Sequence, residues 1–126
     1  MLIEKPKFYI CPEFIIRQAY RPWEVAGSNQ LRHDTFVNEQ GIFDGNDRDE
    51  IDRDMITIVA VSTLASEEDE VVGTVRIHQP EQGVWWGSRL SVAPKYRRVG
   101  KIGPELIRFA VGTAIKHGCN LFLAHV

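Results

Sequence analysis

Apolar positions along this chain fall into short β-branched or aromatic runs and two longer stretches with helical spacing. Glu13 to Tyr20 reads as a first strand, centred on Phe14-Ile15-Ile16. Pro22 then suits the first turn of a helix over residues 23–40, although Gly27 and Ser28 weaken its start. In its second half Leu31, Phe36 and Val37 can share one side, with Arg32, His33 and Glu39 elsewhere. Gly41 ends it. Met55 to Leu64 and Glu70 to His78 are rich in Val, Ile and Thr and read as a hairpin about a turn at 66–69. After a turn at 80–83, Val84 to Val92 is a third hairpin strand, in which Gly87 hints at a bulge. A second helix is expected over about 101–117. Ile107, Val111, Ala114 and Ile115 form its apolar stripe, beside Leu106, Phe109 and Ala110, and Gly118 stops it. Asn120 to Val126 is strand-like, so strand, helix and strand at the end imply a parallel crossover. Residues 1–12, with Pro6, Cys11 and Pro12, read as an arm.

Composition narrows the class. With 126 residues one domain is expected, here 13–126 behind the arm. A 44% hydrophobic share with 25% charged residues is too apolar for disorder. Net charge is −2, so nothing in bulk favours nucleic acid, and any anion site must be a local patch. No apolar run approaches membrane-spanning length, and the N-terminus does not resemble a signal peptide. Cys11 and Cys119 make no disulfide framework, which favours a reducing cytoplasm. No metal is expected. His117 and His125 lack metal-ligand spacing with a cysteine pair, and the acid-rich loop 44–54 fails as a calcium loop because Arg48 and Asp49 stand at its fifth and sixth positions.

Local chemistry concentrates at Arg97-Arg98-Val99-Gly100-Lys101-Ile102-Gly103, between a strand and a helix. A helix start presents unpaired N–H groups and the positive end of its dipole to an anion. Gly100 and Gly103 allow close backbone approach, and Arg97, Arg98 and Lys101 add charge. This pattern predicts a site for the pyrophosphate of a nucleotide-like cofactor. Asp44, Asp47, Asp49, Glu50, Asp52 and Asp54 form either a solvated loop balanced by Arg48 and Arg53 or a lip that attracts a cationic amine. Arg32 and Arg76 can pair with that loop. Trp85 and Trp86 point to opposite faces of their strand: core is the ordinary role for either, and one of them can instead line a substrate cleft.

The loop at 97–103 resembles the acyl-CoA motif Gln/Arg-x-x-Gly-x-Gly/Ala of the GNAT (Gcn5-related) N-acetyltransferases. Arg97 and Gly100 fit that pattern, Ile102 departs from it, and the second glycine follows as Gly103. The lead-in Leu90-Ser91-Val92-Ala93-Pro94-x-Tyr96-Arg97 is similar to the family's fourth strand. The resemblance implies an α/β (α+β) GNAT fold, with a mixed, mostly antiparallel sheet flanked by helices. It implies acetyl-CoA as co-substrate, with Leu90, Ser91 and Val92 pairing with the pantetheine arm and residues 97–103 holding the phosphates. A small-molecule amine would be the acceptor, with Phe43, Asp44 and Trp86 on its side. Direct attack on the thioester needs a base, for which Glu39, Glu50 and His78 are candidates. A full-length domain of this family continues with another helix and a closing hairpin. The resemblance therefore implies a form lacking its C-terminal third, or a strand edge covered by a second copy in a homodimer.

Two narrower resemblances stand within that superfamily. Phe36 to Glu50, Gly83 to Leu90 and the closing Phe-Leu-Ala-His-Val are similar to a group of bacterial acetyltransferases associated with nitrogen-starvation gene clusters. Leu31-Arg32-His33 with Phe36, the acidic loop and Val72-Gly73-x-x-Arg76 resemble the acyl-homoserine-lactone synthases, which take their acyl group from a carrier protein. A CoA-binding module without catalysis is the third alternative.

Overall fold

The computed structural model describes residues 13–64, 67–98 and 101–124. The expected arm at 1–12 and the ends at His125 and Val126 lie outside them. Five strands form one sheet in the order β1-β2-β3-β4-β5: β1 Glu13–Gln18, β2 Ile56–Leu64, β3 Glu67–Glu81, β4 Val84–Val92 and β5 Leu121–Ala124. The first three pairings are antiparallel, and β4 with β5 is parallel. Helix α1 spans Pro22–Arg32 and α2 spans Ile102–Lys116, the latter making the β4–β5 crossover. The result is the mixed, mostly antiparallel α+β sheet that the sequence predicts.

The helices cover opposite faces of the sheet. On β3, Gly73 lies against α2: a Cβ there would come within 2.8 Å of Ile102 and 2.9 Å of Leu106. Its neighbour Thr74 turns to α1 and hydrogen-bonds Ser28 at 2.6 Å. The α2 side is an apolar core of Ile58, Val75, Ile77 and Trp85 against Ile102, Leu106, Ala110 and Ala114. The α1 side is polar at its centre. Buried Ser28, Arg32, Thr35, Thr74, Arg76, Ser88 and Ser91 meet there beside Leu31. Glu24, wholly buried in the first turn of α1, accepts from Arg17 Nε at 2.6 Å and from the Arg21 N–H at 2.8 Å.

Several expectations need correction. The predicted 23–40 helix is α-helical only to Arg32 and continues as a π-helical segment over His33–Glu39. That change of winding brings Thr35 to the sheet, and Arg32, expected off the apolar side, is buried beside Leu31. On α2 the buried stripe is Ile102, Leu106, Ala110 and Ala114, while Ile107, Phe109 and Ile115 stand exposed. Residues 67–69 belong to β3 rather than to a turn, and β3 runs on to Glu81. Gly87 is in register opposite Ile77, so the bulge is not there. A Cβ at Gly87 would meet the Phe122 ring at 3.0 Å, so the glycine admits that ring.

Candidate active site

The irregular point of β4 lies two residues past Gly87. Arg76 is opposite Ser88 and Thr74 is opposite Ser91, so Val75 alone faces both Arg89 and Leu90. This is a β-bulge, and Arg89 adopts φ +55°, the one non-glycine positive φ among the described residues. The extra residue divides two neighbours between the faces. Leu90 lines a pocket on the α2 side, and Arg89 joins the polar face below α1. The pocket is apolar, about 80 Å³, walled by Val75, Leu90, Ile107, Ala110 and Phe122. It lies where β4 runs beyond the described end of β5: parallel pairing covers Val84–Gly87, and Ser88–Val92 continues past it.

On the other face three arginines hold three aspartates of the loop. Arg32 donates from Nε to Asp47 at 2.6 Å and from Nη1 to Asp52 at 2.7 Å. Arg76 takes Asp49 at 2.7 and 3.0 Å, Asp52 at 3.1 Å and Ser88 Oγ at 2.8 Å. Arg89 donates to Asp47 at 3.2 Å and Asp49 at 3.3 Å, and its guanidinium lies 4.4 Å from the Phe43 ring centroid. Burial works to raise the Asp52 carboxyl. The hydrogen bonds from Arg32 and the Asp49 N–H, with the charges of Arg32 and Arg76, outweigh it and bring the pKa to about 2. Asp49 is likewise lowered, burial being overcome by the hydrogen bond and charge of Arg76. Burial and the nearby Arg76 charge depress Arg89. Half of the acidic residues expected to draw in a cationic amine are therefore neutralised within the fold. Asp44, Glu50 and Asp54 remain exposed, beside exposed Arg48 and Arg53.

The expected phosphate loop is described at Arg97, Arg98 and from Lys101 onward; Val99 and Gly100 lie outside the described residues. Arg98 and Lys101 are exposed, and Gly103 is half-buried. Ile102 turns its side chain into the core at 2% exposure, which accounts for a branched residue where the motif has Gly or Ala. In the first turn of α2, Pro104 carries no N–H and the Glu105 N–H bonds the Lys101 carbonyl at 2.9 Å. The donors that the turn presents outward are those of Ile102 and Gly103. Arg97 is engaged elsewhere: Nη1 and Nη2 grip Glu39 at 2.7 and 2.8 Å, and Nε donates to the Val92 carbonyl at 2.8 Å.

The remaining predicted residues do not converge on one point. Glu39, at the end of the π-helical segment, goes with Arg97, whose hydrogen bond holds its carboxyl below the usual range. His78 is half-buried on β3 directly opposite Trp86 on β4, and Trp85 is in the core. Glu50 is exposed at the start of a 3-10 turn, Glu50–Arg53. Phe43 is half-buried under Arg89, and Asp44 is exposed. Leu90 lines the pocket, Ser91 is buried with its hydroxyl bonded to that of Thr35, and Val92 ends β4. Sequence reasoning missed Arg89 and Thr35: the bulge it sought at Gly87 lies two residues on, and a π-helical segment leaves no mark in residue pattern. Among the described residues no group of three or more His, Cys, Asp or Glu is placed to hold a metal, and no helix is long and apolar enough to cross a membrane.

Known structures share this arrangement. An acetyltransferase of the GNAT family from Staphylococcus aureus Mu50 superposes with a TM-score of 0.67 at 17% identity, over 90% of this chain and 74% of its own. Escherichia coli ElaA gives 0.67 at 21% identity, over 90% and 77%. A Trypanosoma brucei acetyltransferase gives 0.61 at 16%, over 90% and 83%. These likenesses establish the fold. No curated protein matches the chain. The family model of the acetyltransferase (GNAT) family matches residues 16–126. With that match over most of its length, on a sheet whose fourth strand bulges beside an apolar pocket, the chain belongs to the GNAT acetyltransferase family.

Proposed function

We propose that this chain binds acetyl-CoA and transfers its acetyl group to the amine of a small molecule by direct attack. The observation that carries the reading is the apolar pocket between the β4 bulge and β5, roofed by α2. Its apolar lining, with Leu90 of β4 along one wall, suits the acetyl group and the methylenes next to the sulfur. Exposed Arg98 and Lys101, with the first N–H groups of α2, suit a pyrophosphate. When bound, acetyl-CoA supplies the thioester whose C–S bond breaks as the amine N–C bond forms.

The acceptor ammonium must lose a proton before it can attack. Among the candidates, His78 combines half-burial, a place opposite Trp86 and an imidazole, which can both take up and give up a proton. Glu39, held ionised by Arg97, is a weaker base. Calorimetry with CoA and an acetylation assay across an amine panel test this. The expected result is saturable CoA binding, with turnover that falls about 10²-fold or more in His78→Gln at unchanged CoA affinity. Absence of CoA binding overturns the reading. CoA binding with no turnover on any amine favours the non-catalytic module.

A second reading has its own support. The stretches that resemble the acyl-homoserine-lactone synthases supply Arg32, Arg76 and the aspartates to one ion-pair lattice. Turnover with an acyl carrier protein and none with acetyl-CoA selects it.

A further inference from the structure

The sequence motif assigns Arg97 to the cofactor phosphates, but the side chain is already committed. Its planar fork meets both oxygens of Glu39, at 2.7 and 2.8 Å, and its Nε meets the carbonyl of Val92 at 2.8 Å. A bidentate pair of this kind is geometrically specific and neutralises the guanidinium charge. Its two anchors belong to different elements. Val92 is the last residue of β4, beyond the bulge and opposite Gly73. Glu39 is the last residue of the π-helical segment, which also sends Thr35 to Ser91 and sets Phe36 5.7 Å from the Arg89 guanidinium. The neighbouring Arg98 and Lys101 are exposed and form no ion pair among the described residues.

From this geometry we propose that Arg97 is a positioning residue. With Glu39 it braces the end of the helix side against the end of β4 and so sets the mouth through which CoA reaches the pocket. The phosphate charge falls to Arg98, Lys101 and the start of α2. Glu39 thereby has a structural task in place of the proton transfer expected of it. The inference rests on the acetyl-CoA reading and adds a division of labour within that site.

A double-mutant cycle tests it, read as the CoA dissociation constant by calorimetry at two salt concentrations. Both side chains are exposed, and circular dichroism confirms that each variant keeps its fold. A brace requires Glu39→Gln and Arg97→Gln to weaken CoA by similar factors, about tenfold, and the double variant to be no worse than either. Arg97→Lys should fail to restore affinity, because an ammonium cannot span both carboxylate oxygens and the carbonyl. The salt dependence should drop in Arg98→Gln and stay unchanged in the double variant, which like the intact pair carries no net charge there, since salt screens only uncompensated charge facing the phosphates. Three results overturn the brace: Arg97→Gln much weaker than Glu39→Gln, rescue by lysine, or no effect from either variant. If the unmodified chain binds no CoA, the acetyl-CoA reading falls and the brace falls with it.

Discussion

Arg32 shows how much of this site is built from single buried charges. Its side chain is 2% exposed, and its guanidinium is shared between Asp47 and Asp52. An ion pair at such depth contributes little net stability over an apolar substitute, because desolvation offsets the Coulombic gain. Removing one partner is another matter, since Asp47 and Asp52 stay largely buried with only the longer pairs from Arg89 and Arg76 to balance them. Arg32→Leu should therefore destabilise the chain by about 3–5 kcal/mol, as measured by urea unfolding. Arg53→Leu, an exposed arginine of the same loop, should stay within about 0.5 kcal/mol of the parent. Equal effects would mean that the lattice does not hold the loop. The pairing of Arg32 and Arg76 with the loop was readable from charge alone. The part played by Arg89 was not, because it depends on a bulge that places residue 89 on the same face as residue 88.

Among the elements, α2 gives the sharpest contrast between two glycines. Gly73 of β3 sits under Ile102 and Leu106, where an added Cβ would approach within 3 Å of both. Gly112, on the outer side of α2, has nothing within 4 Å of the same atom. Gly73→Ala should cost about 1–3 kcal/mol through overpacking, while Gly112→Ala should gain about 0.5–1 kcal/mol from helix propensity. Thermal melting of the two variants checks both signs. The same helix shows where sequence reading runs out. Two apolar stripes wind around it, one through Ile107, Val111 and Ile115 and one through Ile102, Leu106, Ala110 and Ala114. Periodicity favours the bulkier stripe; the sheet takes the one whose alanines let α2 lie close. β4 was legible to the residue, as a β-branched and aromatic run between Gly83 and Pro94. The π-helical segment was not, because its register is coupled to contacts across the fold, such as Thr35 with Ser91, that no local pattern encodes.

Across the whole molecule, the two faces of the sheet are held by different physics and should fail under different conditions. The α2 face rests on apolar burial, which carries no charge to titrate. The α1 face rests on carboxylates paired with arginines, so its stability is tied to pH. Asp52 titrates at about 2 in the fold, against about 3.9 for an unfolded aspartate. A carboxyl with a depressed folded-state pKa lends stability above its unfolded value and loses it as pH falls towards the folded one. The window is therefore about pH 4 down to about pH 2. Discounted for the solvent that reaches this group, the loss is about 1 kcal/mol, or about 4 °C in Tm for a domain of this size. Other carboxylates titrate in the same range, so the comparison that isolates Asp52 is with Asp52→Asn. That variant should be less stable at pH 7, because an amide meets Arg32 and Arg76 less well than a carboxylate. Its Tm should also fall less steeply than the parent's between pH 4 and pH 2. Parallel curves would place the acid sensitivity elsewhere; converging curves would show the α1 face, with its loop and bulge, yielding to acid through this lattice while the apolar face remains.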